Sequence, residues 1–294
     1  SVAKVELRLS GLKQQLGFAG DDQRKRLRLL HEIYHIYYTY QFDSALVYVK
    51  KCYAQAVACH DKRAEMKAQL DKAELLANGG FYHVSEDILR NYRLQDLPAD
   101  LRYDYAIAGY WTYVYWSAFT MDAEFTSRLD SLRMSNLNLA LQYAPKNSAT
   151  WYFLKGEKSY FLGEHPAKAI AYYKRCLKHL QGYGRLYSQT CFAIARSYRL
   201  LNRENMYGYW LFLSSKSDLL AVIRENAALQ DLAMYLFHQN PDNATLAHHY
   251  LLVAMDDATF YNNKLRKLEI SNRLRLSSTP IFGSCRSSAS SCGA

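Results

Sequence analysis

Residues 151–176 read WYFLKGEKSYFLGEHPAKAIAYYKRC, and this stretch decides the fold. It divides into two short helices around a turn at Gly163-Glu164-His165-Pro166. The second helix carries Ala169, Tyr173 and Cys176, a small–large–small spacing on one face. The first carries Phe153, Gly156 and Tyr160. Gly156 and Ala169 let the two backbones approach, and Tyr160 and Tyr173 fill the remaining space. One such pair cannot bury its apolar face alone and needs neighbours on both sides.

The rest of the chain supplies them. The spacing is the one with which a tetratricopeptide repeat closes its helix pair, and it recurs on both sides of residues 151–176. After a helical lead-in over residues 1–23, Leu27, Leu30, Tyr34 and Tyr37/Tyr38 form one helical stripe. Beyond the turn at Gln41-Phe42, Asp43 is placed to cap a return helix bearing Ala45, Val49 and Cys52. Pair two runs from Lys62 to Arg93 and is broken at Asn78-Gly79-Gly80. Pair three follows Leu97-Pro98, with Asp100 as cap and a break near Met121-Asp122, and ends at Tyr143. Pair five follows Gly182-Tyr183-Gly184, with Cys191, Ile194, Ala195 and Tyr198 on its first helix and Tyr207, Leu211 and Ser214 on its return. Pair six reads as one helix from Ser217 to about His238, a turn at Asn240-Pro241-Asp242, and a helix to about Ser271. The expectation is an all-α solenoid of about six tetratricopeptide-like helix pairs over residues 24–276. Residues 277–294, rich in Ser, Gly and Cys without periodicity, read as disordered.

Composition agrees with a repeat array. The chain of 294 residues holds 26 Tyr against 12 Phe and 4 Trp; amphipathic rings suit the half-buried positions of a solenoid. The net charge of +10 favours acidic partners or nucleic acid. Its charges are scattered, however, apart from Arg24-Lys25-Arg26-x-Arg28 and the run Lys264–Arg275, which read as solvated helix faces. The six cysteines form no CxxC. Cys52 and Cys59 fall roughly 10 Å apart along one helix, too far to bridge. Cys176 and Cys191 occupy core-like positions on neighbouring helices, and Cys285 and Cys292 lie in the tail. No signal peptide and no run of about 18 apolar residues is legible.

The sharpest chemical motif is His31-Glu32-Ile33-Tyr34-His35, an HExxH on a helix. His31 and His35 at i and i+4 could face one zinc ion with Glu32 as general base. A third ligand would have to come from Glu65 or Glu74, and the same helix face is already committed to packing by Tyr34 and Tyr37. The zinc-metalloprotease reading is therefore the enzyme alternative; the main expectation is a binding protein without catalysis, metal or cofactor. Glu225, Asn226 and Asp231 are polar positions in a helix expected to be packed, where bonds to neighbouring helix ends are the simplest account. The adjacent His248 and His249 point to different helix faces.

Several stretches go beyond a generic repeat: Phe42-Asp43-Ser44-Ala45-Leu46-x-Tyr48; Leu213-Ser214 with Asp218-Leu219; Glu225-Asn226-Ala227-x-Leu229-x-Asp231-Leu232-Ala233; and Asp256-Asp257-Ala258-x-Phe260-Tyr261-Asn262 with Leu265-Arg266 and Glu269-Ile270-Ser271. Together they resemble the N-terminal sensor region of membrane-anchored, tetratricopeptide-bearing transcriptional regulators of the Bacteroidetes type, over about residues 20–275. The resemblance implies an extracytoplasmic, periplasmic sensor at the inner membrane, with a membrane helix and a DNA-binding segment beyond the resembling region. Contact with the membrane would then run through a segment absent from this chain, and direct nucleic-acid binding is not expected of it. A free-standing, cytoplasmic repeat scaffold for protein assembly is the other reading.

Ligands of such arrays lie in the concave groove lined by the first helix of each pair. Counted from the pair-five motif, Gln189, Arg196 and Arg199 face it; by looser alignment in pair four, Trp151 and Lys158 do. Arg and Lys there suit a carboxylate of a protein or peptide partner, and Trp151 an apolar anchor. The register itself makes a prediction. Replacing Ala169 or Ala195 with Leu overpacks a helix pair and costs roughly 1–3 kcal/mol, measurable by urea denaturation; variants as stable as the parent would place these alanines outside the pair contacts.

Overall fold

The structure, a computed structural model, describes residues 1–277 apart from 121, 225 and 226. Met121 in the expected third-pair break, Glu225 and Asn226, and the tail with Cys285 and Cys292 lie outside the described residues. Among the described residues there are fourteen α-helices and no strand. A leading helix α1 (Val2–Gly17) precedes six antiparallel pairs: α2 (Gln23–Tyr40) with α3 (Phe42–Ala58), α4 (Lys62–Asn78) with α5 (Tyr82–Arg90), α6 (Arg102–Phe119) with α7 (Ala123–Tyr143), α8 (Ala149–Phe161) with α9 (Pro166–Lys178), α10 (Arg185–Leu200) with α11 (Glu204–Ala221), and α12 (Ala228–Gln239) with α13 (Ala244–Tyr261). A last helix, α14 (Lys264–Ser277), packs on α13. The all-α solenoid is as expected.

The α8–α9 pair shows why the spacing works. Ser148 Oγ accepts from the Trp151 N–H at 3.1 Å to start α8. Gly163 takes φ +66° in the turn, and Pro166 opens α9 at a position whose N–H would have no helical partner. Phe153, Gly156, Ala169, Tyr173 and Cys176 are all buried. A Cβ on Gly156 would stand 2.4 Å from the Tyr173 ring, so the glycine sets the distance between the two helices.

Local chemistry departs from expectation at two caps. Asp100 does not cap α6; it lies in a 3₁₀ turn (Ala99–Leu101) and pairs with Arg63. Asp43 lies inside the first turn of α3, and its carboxylate accepts from Asn262 Nδ2 at 3.4 Å. The cysteines are free thiols at Cys52, Cys59, Cys176 and Cys191. Cys176 Sγ sits 3.3 Å from Thr190 Oγ1, and burial pushes the Cys52 thiol up to about 12, far from reactive thiolate character.

Two larger departures concern the end of the array. The helix expected from Ser217 to His238 is two helices, because α11 stops at Ala221 and α12 starts at Ala228. Val222 closes α11 in the left-handed region, at φ 57° and ψ 46°, a conformation that costs a β-branched residue about 1–2 kcal/mol. The helix expected to run to Ser271 likewise breaks at Asn262 (φ 68°), where α13 ends and α14 turns back. Both breaks serve one end. The Arg224 N–H donates to the Thr39 carbonyl at 2.9 Å, and Tyr261 is fully buried within the core formed by α1, α2, α3 and α4. The Tyr261 hydroxyl accepts from Asn78 Nδ2 at 2.9 Å and donates to the Tyr38 carbonyl at 2.7 Å. The last helices thus dock on the first two pairs, and the solenoid closes into a ring.

Packing at the pair contacts has a direct test. Gly156→Ala should lower stability by roughly 1–3 kcal/mol through the forced shift of Tyr173, read as an unchanged m-value and a lower urea midpoint.

Candidate functional site

Closing the ring turns the concave groove into a cavity of about 270 Å³. It is lined chiefly by the first helices of pairs three to six and by α14, with Ser214 and Asp218 of α11 and Ile223 beyond it: Trp111, Val114 and Tyr115 come from α6, Phe153 and Glu157 from α8, Arg185, Gln189, Phe192 and Arg196 from α10, Gln230 and Asp231 from α12, and Leu265, Arg266, Glu269 and Arg273 from α14. Aromatic rings form one part of the wall and paired charges the other.

Glu157 organises the charged part on the α8 side. It is 2 % exposed, and burying a carboxylate requires compensating partners. Tyr110 donates to its Oε2, Tyr173 donates to Oε1 at 2.6 Å, and Arg196 Nη2 lies 3.0 Å from Oε1. Burial, and then the Glu157 charge, hold both tyrosine hydroxyls far above their ordinary range. Burial disfavours the Arg196 cation, but the Glu157 charge together with the Tyr173, Tyr160 and Tyr110 hydroxyls outweighs it and raises the guanidinium further. The same guanidinium packs over the Tyr160 and Phe192 rings at 4.8 and 5.6 Å.

On the α14 side, Glu269 Oε2 accepts from Arg266 Nη1 and from Gln230 Nε2, both at 2.7 Å. Burial pushes its carboxyl up, yet the Arg266 charge and these two bonds bring it below the ordinary range. Arg273 pairs with Asp231 across the α14–α12 contact. Arg185 reaches Glu74 at 3.4 Å and stacks over Tyr38 and Trp111, and burial raises Glu74 against that attraction. Arg266 and Arg273 thus face inward. This corrects the reading of the Lys264–Arg275 run as a solvated face. Around α2 the solvated reading fits Arg24 and Lys25, which are exposed, and Arg28, 3.8 Å from Glu32.

Of the residues expected in the groove, Gln189 and Arg196 line the cavity. Trp151, Lys158 and Arg199 do not. Trp151 lies at the start of α8 under the Lys155 ammonium, 5.1 Å from its ring centroid. Lys158 is half-buried elsewhere on α8. Arg199 continues the α10 stripe one turn past the cavity, 3.5 Å from the Tyr207 hydroxyl. Phe153 and Glu157, the two α8 residues that do face inward, are spaced i and i+4, which the looser pair-four alignment missed.

The HExxH residues have other partners. His31 Nε2 is 3.2 Å from Asp71 Oδ2, a carboxylate also held by Lys67 at 2.5 Å. The His31 and His35 rings meet edge to face at 4.3 Å, and Glu65 pairs with Lys62. Among the described residues no group of three or more His, Cys, Asp or Glu is arranged to hold a metal ion. No helix among them is long and apolar enough to cross a membrane.

The Glu157–Arg196 pair can be tested by a double-mutant cycle. Arg196→Met leaves Glu157 buried with a charge and should cost about 3–5 kcal/mol. Glu157→Gln/Arg196→Met should cost clearly less than the two single changes added together.

Comparison with known proteins agrees with this architecture. No curated protein matches the chain. Among solved structures, a thermophilic TPR protein of Thermus thermophilus is similar at a TM-score of 0.50 and 18% identity, over 70% of this chain and 98% of that one. That likeness concerns the fold, an α-solenoid of helix pairs. The profile of the SusR N-terminal TPR domain matches residues 2–272, from α1 almost to the end of α14, and the chain belongs to that family.

Proposed function

We propose that this chain is the extracytoplasmic sensor region of a membrane-anchored transcriptional regulator, and that it works by recognition, without catalysis. It recognises a protein or peptide partner on its enclosed concave face and passes on the result as a change in the shape of the superhelix. What supports this most is the extent of the family match, which spans the ring and its cavity as one unit. The cavity adds a chemical basis: paired arginines and carboxylates beside Trp111, Tyr115, Phe153 and Phe192 suit a partner that presents a polar group next to an apolar one. Gln189 and Arg196 are the first residues to carry that contact. Trp151, Lys158 and Arg199 remain candidates only for a partner that extends over the rim.

A reporter gene driven by a regulator carrying this region tests the reading. Gln189→Trp fills the cavity without breaking an ion pair and should reduce induction roughly tenfold or more while the melting temperature stays near that of the parent. Full induction in a folded Gln189→Trp protein would move recognition to another surface. Alkaline phosphatase fused after residue 277 in the natural gene should be active, as that enzyme is only outside the cytoplasm; an inactive fusion would favour the cytoplasmic scaffold.

A further inference from the structure

The ring is closed in a way unlike the way it is built. Among the described residues, extended helix-to-helix packing joins helices one or two apart in the chain. The two ends meet through individual side chains and one backbone bond, from the Arg224 N–H to the Thr39 carbonyl. Tyr261 inserts into the N-terminal core and bonds to Asn78 and Tyr38. Asn262 reaches Asp43 at 3.4 Å. The Lys264 ammonium sits 3.6 Å from the Phe81 ring centroid. The Arg224 guanidinium lies over Phe260 and Tyr40 at 4.1 and 5.4 Å, beside its ion pair with Asp257 at 3.5 Å. Every one of these contacts comes from the two breaks at residues 222–224 and 261–264, and the first break holds Val222 in a left-handed conformation.

The same two breaks reach the cavity. Ile223, between Val222 and Arg224, lines it, and so do Leu265 and Arg266, directly after Lys264. A segment that seals the ring with one residue therefore shapes the cavity with the next. We infer that the seam between residues 222–224/261–264 and the α2–α4 region is a reversible latch. With the latch shut, Ile223, Leu265 and Arg266 complete the cavity wall. With it open, they leave that wall and the superhelix relaxes towards the open curvature of a repeat array, in which each unit is held by its neighbours alone. The role of the latch in signalling rests on the sensor reading above. The opening itself is a property of the ligand-free chain, so a failure of either idea leaves the other standing.

Hydrogen exchange and small-angle scattering on the full chain test the latch. Tyr261→Phe removes the two hydroxyl bonds across the seam. Amides of α13, α14 and the facing ends of α2 and α4 should then exchange about tenfold faster, those of α8 and α9 should keep their rates, and the radius of gyration should rise. Lys264→Ala should give the same local pattern and serves if Tyr261→Phe does not fold. In the opposite direction, an ideal Cβ on Gly80 lies 3.2 Å from Lys264 Cβ, so a separation by a few tenths of an ångström brings the two into disulfide range. Oxidised Gly80→Cys/Lys264→Cys should slow seam exchange below that of its own reduced form, which controls for the cost of a side chain at Gly80 φ +87°. Equal acceleration at every amide in Tyr261→Phe would make Tyr261 a general core residue and overturn the latch. Identical seam exchange in the oxidised and reduced forms would show a ring that does not open and would overturn it as well.

Discussion

A single buried tyrosine turns this repeat array into a ring. Tyr261 stands at the end of the sixth pair, yet its side chain belongs to the core of the first. Repeat arrays are quasi-one-dimensional: each unit rests on its neighbours, and the ends normally stay apart. Here the ends share a fully buried ring whose hydroxyl bonds to two residues more than 180 positions away in the chain. A tyrosine suits this task where a phenylalanine would not. Its ring fills the apolar gap beside Phe42, and its hydroxyl meets a backbone carbonyl and a side-chain amide across the seam, bonds that a phenylalanine cannot make.

The abundance of tyrosine follows from the same constraint on a larger scale. A closed ring buries much of the concave face that an open solenoid leaves wet, and the polar groups there need partners within the protein. Tyr110 and Tyr173 supply them to Glu157, Tyr38 to Glu74, and Tyr34 to the Asp71 carbonyl. Tyr34, Tyr110, Tyr173 and Tyr261 are among the largest fully buried side chains in the protein. The expectation that tyrosines would occupy half-buried groove positions thus understated them; the buried ones are structural ligands of buried polar groups. Arg185, Arg196 and Arg266 are fixed by the same logic, each held by a carboxylate.

Legibility in the sequence followed the locality of the signal. Pairs one, four and five are announced by small–large spacing, and pairs two and three by their breaks and turn residues. Gly80, Gly163 and Gly182 adopt positive φ where the turns were expected. The break at Val222 carries no such residue: the turn is closed locally by the Ile223 N–H on the Asp218 carbonyl, and the Arg224 N–H just beyond it reaches Thr39 across the seam. Asn262-Asn263 offered a weak signal, since Asn tolerates the left-handed region, but an apolar stripe runs up to it and hid the break. Within the groove, Gln189 and Arg196 were readable because the pair-five motif aligns without a gap. In pair four the alignment slipped. Phe153 and Glu157 face inward, whereas Trp151 and Lys158 fall on other parts of the α8 surface, about 200° and 100° around the helix from those neighbours. Glu157 had a signal of its own, an acidic residue directly after a glycine committed to the helix contact, where a long charged side chain needs a built environment.

The coincidence of seam and cavity decides what a bound partner can do. A ligand shifts a conformational equilibrium only through contacts that differ between the two states. Contacts to Trp111, Phe153 or Gln189 alone would be made equally in a closed and an opened ring, because α6, α8 and α10 hold one another whatever the ends do. Contacts to Ile223, Leu265 and Arg266 are different, since those residues reach the cavity through the segments that close the seam. A partner that touches both sets would bind the closed ring more tightly and hold it shut; one that pushes the α14 wall outward would favour opening. The α14 wall carries Arg266, Glu269 and Arg273, and α14 is also the last described helix. Whatever moves that wall moves the end of the array with it, and this gives the ring a mechanical output that an open solenoid, bending a little at every joint, does not concentrate in one place.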